Sequence, residues 1–140
     1  VLAICEAEQV RLFVHSKTEI AKRIGCRGIH MTIPGLQALS EWEVRELHGC
    51  FTQVSVSCHS LEDVQFAVRC GATQIVLGTI FETECKKGLK GRGVAFVEEI
   101  CRQCPVPVYA IGGMNEKRLP QVMEAGAAGG CMMSGFMRMK

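Results

Sequence analysis

The chain has 140 residues, the usual size of a single domain, so we expect one hydrophobic core over residues 1–140. Hydrophobic residues make up 48% and the net charge is +2, which excludes a disordered tail and a charge-driven nucleic-acid binder. No apolar run reaches the roughly 18 residues of a membrane span, and no signal-peptide pattern is present. The odd count of nine cysteines indicates reduced thiols in a cytoplasmic protein.

The chain alternates predicted strands with predicted helices, starting at Val1 in what resembles the middle of a helix, so we expect a fragment of a longer protein. The strands are near-continuous apolar runs, as in a parallel sheet covered on both faces. The six predicted strands are Arg11–His15, Arg27–Met31, Gln53–Ser57, Thr73–Leu77, Val106–Ile111 and Gly129–Met133. Five helical segments separate them, including Ser40–His48, Leu61–Cys70, Gly93–Cys104 and Arg118–Ala125.

Glycines mark the helix ends of this repeated unit. Gly25, Gly71 and Gly126 each stand where a helix would end in left-handed backbone and the chain would turn into a buried strand. Ser60 is expected to cap the helix Leu61–Cys70, with Asp63 completing a capping box. A closed eight-unit barrel takes about 250 residues, so six units predict either an open sheet or part of a barrel.

Function in parallel β/α folds lies at the carboxyl ends of the strands. His59 follows the third predicted strand, where an imidazole suits proton transfer, although a structural histidine is the alternative. His30 and His15 are weaker candidates, because either fits a hydrogen-bonded core residue, and His48 is expected to be exposed. Cys58 is expected to face outward against the helices, since adjacent strand residues point to opposite faces.

Glycine pairs and a long loop predict an anion site at the same edge. Gly112-Gly113 and Ser134-Gly135 each follow a strand and are expected to open a helix and hold phosphate through backbone amides, unless the first pair only makes a tight turn. The loop from Thr79 to Arg92 exceeds an ordinary connection. Its basic residues predict a lid over an anionic ligand or, alternatively, a solvated loop.

Metal chemistry has little support in the residue types. Cys101 and Cys104 form a lone C-x-x-C pair, whereas zinc ribbons need two such pairs. Asp63 is the only aspartate in the chain, and sites for Mg²⁺ with phosphate usually use carboxylates. We therefore predict no metal site.

Several motifs resemble the thiamine phosphate synthase superfamily, with matching order and spacing across residues 11–135. They are S-V-S-C-H-S-L-E-D-V, G-T-I-F-E-T-E-C-K-K-G-L-K-G-R-G-V, Y-A-I-G-G-M-N and G-A-A-G-G-C-M-M-S-G. The loop is more similar to the TenI-like thiazole tautomerase branch than to the synthases, whose loops usually have T-x-T-K. The resemblance implies an α/β (β/α)8 TIM barrel, present here as an incomplete barrel of strands three to eight, without the first two units and most of the last helix.

The resemblance also implies a function, the isomerisation of a carboxythiazole phosphate in thiamine biosynthesis without a cofactor. It assigns acid/base catalysis to His59. The thiazole phosphate would be bound by residues of the loop and of the last two strand ends, namely Thr83, Cys85, Lys86, Gly113, Met133, Ser134 and Gly135. Alternatives are a thiamine phosphate synthase-like transferase, a non-catalytic phosphate-binding or regulatory relative, and a degenerate fragment.

The synthases' magnesium-binding aspartates match Ser16 and Gly35 here, so the resemblance disfavours synthase chemistry. The small-molecule thiazole phosphate is the expected partner, with no nucleic acid and no membrane. Because two strands of the implied barrel are absent, open sheet edges predict a homo-oligomer, or aggregation with little activity, for residues 1–140 alone.

Overall fold

The computed structural model describes residues 1–82, 90–133 and 136–138. Six parallel strands form one sheet in chain order, and β1 and β6 are its edges. The strands are β1 (Val14–His15), β2 (Gly28–Thr32), β3 (Gln53–Cys58), β4 (Gln74–Gly78), β5 (Val108–Ile111) and β6 (Gly129–Cys131). The predicted α/β class and parallel sheet are confirmed, whereas closure into a barrel is not shown by the described residues.

Seven α-helices lie in the described ranges, followed by a 3₁₀ helix, Phe136–Arg138. They are α1 (Leu2–Ala7), α2 (Thr18–Arg23), α3 (Ile33–Gln37), α4 (Glu41–Cys50), α5 (Leu61–Arg69), α6 (Val94–Gln103) and α7 (Leu119–Glu124). In this part of the chain, no helix has the length and apolar character that crossing a membrane requires.

Some element bounds differ from the predicted ones. β1 is two residues long instead of five and pairs with β2 through Val14 and His15. β5 begins at Val108 instead of Val106, because Pro107 has no N–H to donate to a ladder. β6 ends at Cys131 instead of Met133.

The short helix α3 was not predicted. Thr32, the last residue of β2, caps it: the Thr32 hydroxyl accepts a hydrogen bond from the Gly35 amide at 3.2 Å. Pro34 lies in its first turn, where the missing proline N–H costs nothing. A strand end therefore passes directly into a capped helical turn.

The predicted corner glycines are confirmed. Gly25, Gly71 and Gly126 have φ angles of +74°, +81° and +97°, each just after a helix. In this left-handed region glycine avoids the steric cost of a Cβ atom. The amide after each corner glycine bonds back into the preceding helix, as Ala72 does to the Ala67 carbonyl at 2.9 Å.

The two faces of the sheet differ in polarity. Side chains on the helix-covered face form the core and are almost fully buried, among them Ile29, Val54, Val56, Ile75 and Leu77. Burial of one such side chain contributes about 1.5–3 kcal/mol. The opposite, inner face carries polar side chains on β2 and β3, where Ser55 and Ser57 alternate with the buried valines. β3 therefore departs from the near-continuous apolar runs expected of the strands.

Candidate active site at the carboxyl edge

His59 lies directly after β3 and is exposed at the carboxyl edge of the sheet. Its ring Nδ1 lies 2.7 Å from the carbonyl oxygen of Gly78, the last residue of β4. A carbonyl oxygen only accepts hydrogen bonds, so Nδ1 carries the proton in the neutral ring. The lone pair then resides on Nε2, which is the ring atom available to accept a proton.

The His59 peptide is held on both sides. Its N–H donates to Oδ2 of Asp63 at 2.8 Å, and its carbonyl accepts from the Arg92 guanidinium at 2.7 Å. Ser60 caps α5 as predicted by accepting from the Asp63 amide. The capping box also predicts that the Asp63 carboxylate accepts a hydrogen bond from the Ser60 amide, and this is wrong. The carboxylate accepts instead from the amide of His59, one residue before the cap.

A second polar cluster lies on the inner face beside β1. The His30 ring is bracketed by two hydroxyls, with Nδ1 2.9 Å from Ser55 Oγ and Nε2 2.7 Å from Ser57 Oγ. Burial, and then the nearby charge of His15, lower the pKa of His30 below its ordinary value. The His15 and His30 ring centroids are 5.3 Å apart. His30 is thus the half-buried, hydrogen-bonded histidine that the sequence offered as the alternative to a catalytic one.

The segment after β4 joins the neighbouring strand ends. The amides of Ile80 and Phe81 donate to the carbonyls of Ile111 and Gly112, and the amide of Arg92 returns to the Thr79 carbonyl at 3.0 Å. The two ends of the long loop are therefore fixed beside β5. Thr83, Cys85 and Lys86 lie outside the described residues, as do Ser134 and Gly135.

Gly112 and Gly113 form a turn instead of opening a helix. Both have positive φ, and a Cβ atom on Gly113 would lie 2.5 Å from the Glu82 carbonyl oxygen. The Arg118 guanidinium donates to the Gly113 carbonyl and lies over the Phe81 ring. The prediction that this glycine pair opens a helix is wrong, because α7 begins only at Leu119. Close backbone approach explains both glycines, and phosphate binding by Gly113 stays a prediction.

Two further residues singled out by the sequence, Met133 and His48, lie at the surface. Met133 follows β6 with 70% of its surface exposed. His48 is exposed as expected, and its Nε2 lies 2.6 Å from the Cys70 carbonyl oxygen at the end of α5.

The cysteines singled out by the sequence differ in burial: Cys58 is buried, whereas Cys101 and Cys104, at the C-terminal end of α6, are half-buried. Cys58 is fully buried, and because Ser57 points inward to His30, Cys58 faces the helices as predicted. Burial raises the pKa of Cys58 to about 12 and raises the pKa values of Cys101 and Cys104. In the ranges described, no group of three or more His, Cys, Asp or Glu side chains is arranged to hold a metal ion.

The chain is similar in sequence to a known protein family. The family profile described as thiamine monophosphate synthase matches residues 1–136. The chain belongs to this family. Thiamine-phosphate synthases from Chlorobium phaeobacteroides and Clostridium acetobutylicum are both 31% identical to it, covering 96% of the chain. The chain spans 65% and 62% of their respective lengths.

A solved structure shows the same fold. The thiamine phosphate pyrophosphorylase from Pyrococcus furiosus superposes with a TM-score of 0.81 at 22% identity, covering 99% of this chain and 64% of that protein. The family profile and the two synthases confirm the resemblance to the thiamine phosphate synthase superfamily. These relatives carry the synthase name, and the comparisons do not distinguish the tautomerase branch.

Sequence reasoning missed the partners of both histidines. Arg92 was seen only as a cation of the loop, and Asp63 only as a helix cap. The S-x-S alternation of β3 was the available signal for the inner cluster, because the register His30↔Ser55 places both side chains on one face.

Proposed function

We propose that this chain forms the thiazole-phosphate-handling part of a thiamine biosynthetic enzyme. The observation that carries the proposal is His59, an exposed imidazole at the strand ends. Its Nδ1 is engaged by the Gly78 carbonyl, and its Nε2 has no hydrogen-bond partner among the described residues. A base of this kind suits proton transfer in a bound ring. Family membership supplies the substrate class.

Substrate binding in this proposal follows the family pattern. The phosphate is held by the amides of Gly113 and Ser134-Gly135, and Lys86 closes over the anionic substrate. Thr83, Cys85 and Met133 complete the predicted contacts. Binding the phosphate away from the reacting carbons fixes the ring relative to His59, which lowers the entropic cost of the chemical step.

One candidate reaction is the tautomerisation of a carboxythiazole phosphate. Nε2 of His59 removes the proton from the carboxylate-bearing carbon, and the electron pair of that C–H bond moves into the ring. The imidazolium then returns a proton to the exocyclic carbon, so the atoms balance and the product is an aromatic isomer. The gain in aromaticity drives the reaction, and one base suffices.

The other candidate is the thiamine phosphate synthase reaction, and the names of the relatives support it more directly than they support the tautomerase. The family's synthases place Mg²⁺ on aspartates, and this chain's residues do not fit that ion. Ser16 and Gly35 stand at those two positions, and Gly35 lies inside α3 with no side-chain donor. This donor set favours the metal-independent proton transfer.

Two assays on the natural full-length protein decide between the candidates. One supplies the carboxythiazole phosphate alone, and the other supplies thiazole phosphate with the pyrimidine pyrophosphate, each with Mg²⁺ or with EDTA. Turnover of the first substrate that survives EDTA supports the tautomerase. Product in the second assay that requires Mg²⁺ supports the synthase, whereas binding without turnover in either assay indicates a non-catalytic relative and overturns the enzymatic proposal.

A further inference from the structure

Two side chains from different β/α units hold the backbone of His59. Asp63 comes from the first turn of α5 and accepts from the His59 amide, while Arg92 precedes α6 and donates to the His59 carbonyl. Together with the ring contact to Gly78, three hydrogen bonds between 2.7 and 2.8 Å fix this one residue. No other histidine in the described part of the chain has both of its peptide groups bonded to side chains.

Arg92 is itself held in place. Its guanidinium lies 3.8 Å from the centroid of the Phe96 ring, and Phe96 is buried on α6. Its amide donates to the Thr79 carbonyl, and the next amide, of Gly93, donates to the Ile80 carbonyl at 2.9 Å. A planar guanidinium stacks on an aromatic ring and still presents directed N–H donors, which a lysine ammonium cannot do.

Asp63 departs from the ordinary helix cap in a way that serves His59. In a capping box, the side chain at the third position returns to the amide of the cap residue, which here is Ser60. The Asp63 carboxylate instead takes the amide of His59. The first turn of α5, which the Ser60 hydroxyl caps, therefore also supplies the carboxylate that accepts from the His59 amide.

We propose that Asp63 and Arg92 are positioning residues, which hold the His59 peptide so that the ring keeps its Nδ1–H on Gly78 and its Nε2 at the carboxyl edge. The catalytic meaning of this assignment rests on the proposed function. The structural claim, a fixed ring tautomer, stands or falls independently of any activity.

The test is long-range ¹H–¹⁵N NMR of the imidazoles in the natural full-length protein. His59→Asn assigns the resonances by removing one set. In the unchanged protein, we expect the Nδ1–H tautomer for His59. Arg92→Ala and Asp63→Ala are expected to give averaged nitrogen shifts, because the peptide moves and Nδ1 loses the Gly78 carbonyl. Asp63→Asn keeps an oxygen acceptor and is expected to retain the wild-type pattern.

Matched controls separate positioning from general charge loss. Glu62→Gln removes a carboxylate from the same first turn, and Arg102→Ala removes a guanidinium from the far end of α6, where it pairs with Glu98. Both are expected to leave the His59 pattern unchanged. If Arg92→Ala or Asp63→Ala unfolds the protein, Arg92→Lys and Asp63→Asn replace them, with loss of the fixed tautomer expected in Arg92→Lys and its retention in Asp63→Asn.

Kinetics give the second readout. In Arg92→Ala we expect kcat for the proposed substrate to fall about tenfold or more with KM within about twofold, since a displaced base loses rate more than binding. Unchanged nitrogen shifts in folded Arg92→Ala and Asp63→Ala, or in Arg92→Lys where the alanine variants do not fold, would overturn the positioning proposal, whatever the activity. A tautomer that depends on both residues, in a protein that turns over neither substrate, would instead leave positioning intact and refute the proposed function.

Discussion

Replacing Gly71 with alanine should destabilise the protein about twice as much as the same change at Gly25. Both glycines follow a helix with φ angles of +81° and +74°, so both variants place a Cβ atom in the left-handed region. Both also restrict the unfolded chain equally, and that effect cancels between them. The difference therefore depends on what surrounds each position.

The surroundings of the two glycines give the magnitude. A Cβ at Gly25 meets nothing within 4 Å, so the variant bears only the backbone cost of about 1 kcal/mol. At Gly71 the Cβ would lie 2.6 Å from Nε2 of His48, which must swing away and give up its hydrogen bond to the Cys70 carbonyl. That bond contributes about 1 kcal/mol more. We expect losses of about 1 kcal/mol at Gly25 and about 2 kcal/mol at Gly71.

Urea denaturation of the full-length variants measures both losses, and a double-mutant cycle isolates the contact. In a His48→Ala background the ring is gone, so Gly71→Ala should cost only about 1 kcal/mol. Equal losses at the two glycines, or a Gly71→Ala cost unchanged by His48→Ala, would refute the packing of His48 against this corner.

Three further outcomes follow from burial and from the open sheet. Because the pKa of His30 is lowered, the folded state binds that proton less readily than the unfolded state. The stability that the neutral His30 ring contributes above its ordinary pKa of 6.5 should therefore be lost as the pH falls below that value. Urea denaturation across this range should show this pH dependence in the unchanged protein and not in His30→Gln. Because burial raises the pKa of Cys58 to about 12, iodoacetamide at neutral pH should label it only in the urea-unfolded protein, as mass spectrometry would show. Residues 1–140 alone should self-associate through the edges of β1 and β6, and a stable monomer in light scattering would contradict this.

The alternation of strands and helices could be predicted because it depends on local signals. Apolar runs mark the buried strands, and the glycines at positions 25, 71 and 126 mark the corners, where left-handed backbone is required regardless of the neighbours. Element ends were less predictable. β5 begins only after Pro107, because proline has no N–H to donate to a neighbouring strand. The helix α3 depends on the hydroxyl cap from Thr32.

The candidate site was predictable in position and not in its connections. His59 could be placed at a strand end from the sequence, because β3 and the Ser60 cap bound it closely on both sides. Its partners Gly78 and Arg92 come from other β/α units, and only the register of the sheet brings them within hydrogen-bond distance. The prediction that Gly112-Gly113 opens a helix was wrong for the same reason, since contact with the segment after β4 sets the geometry of this pair.

Conversion of the carboxythiazole phosphate by His59→Asn is the most direct test of the proposed function. The asparagine amide can still donate to the Gly78 carbonyl, but it has no nitrogen that accepts a proton. We predict that turnover falls by about 10²–10⁴-fold while affinity for thiazole phosphate changes little. His15→Asn, at the end of β1 two strands away, should keep most of the activity. Wild-type turnover in His59→Asn would contradict the account.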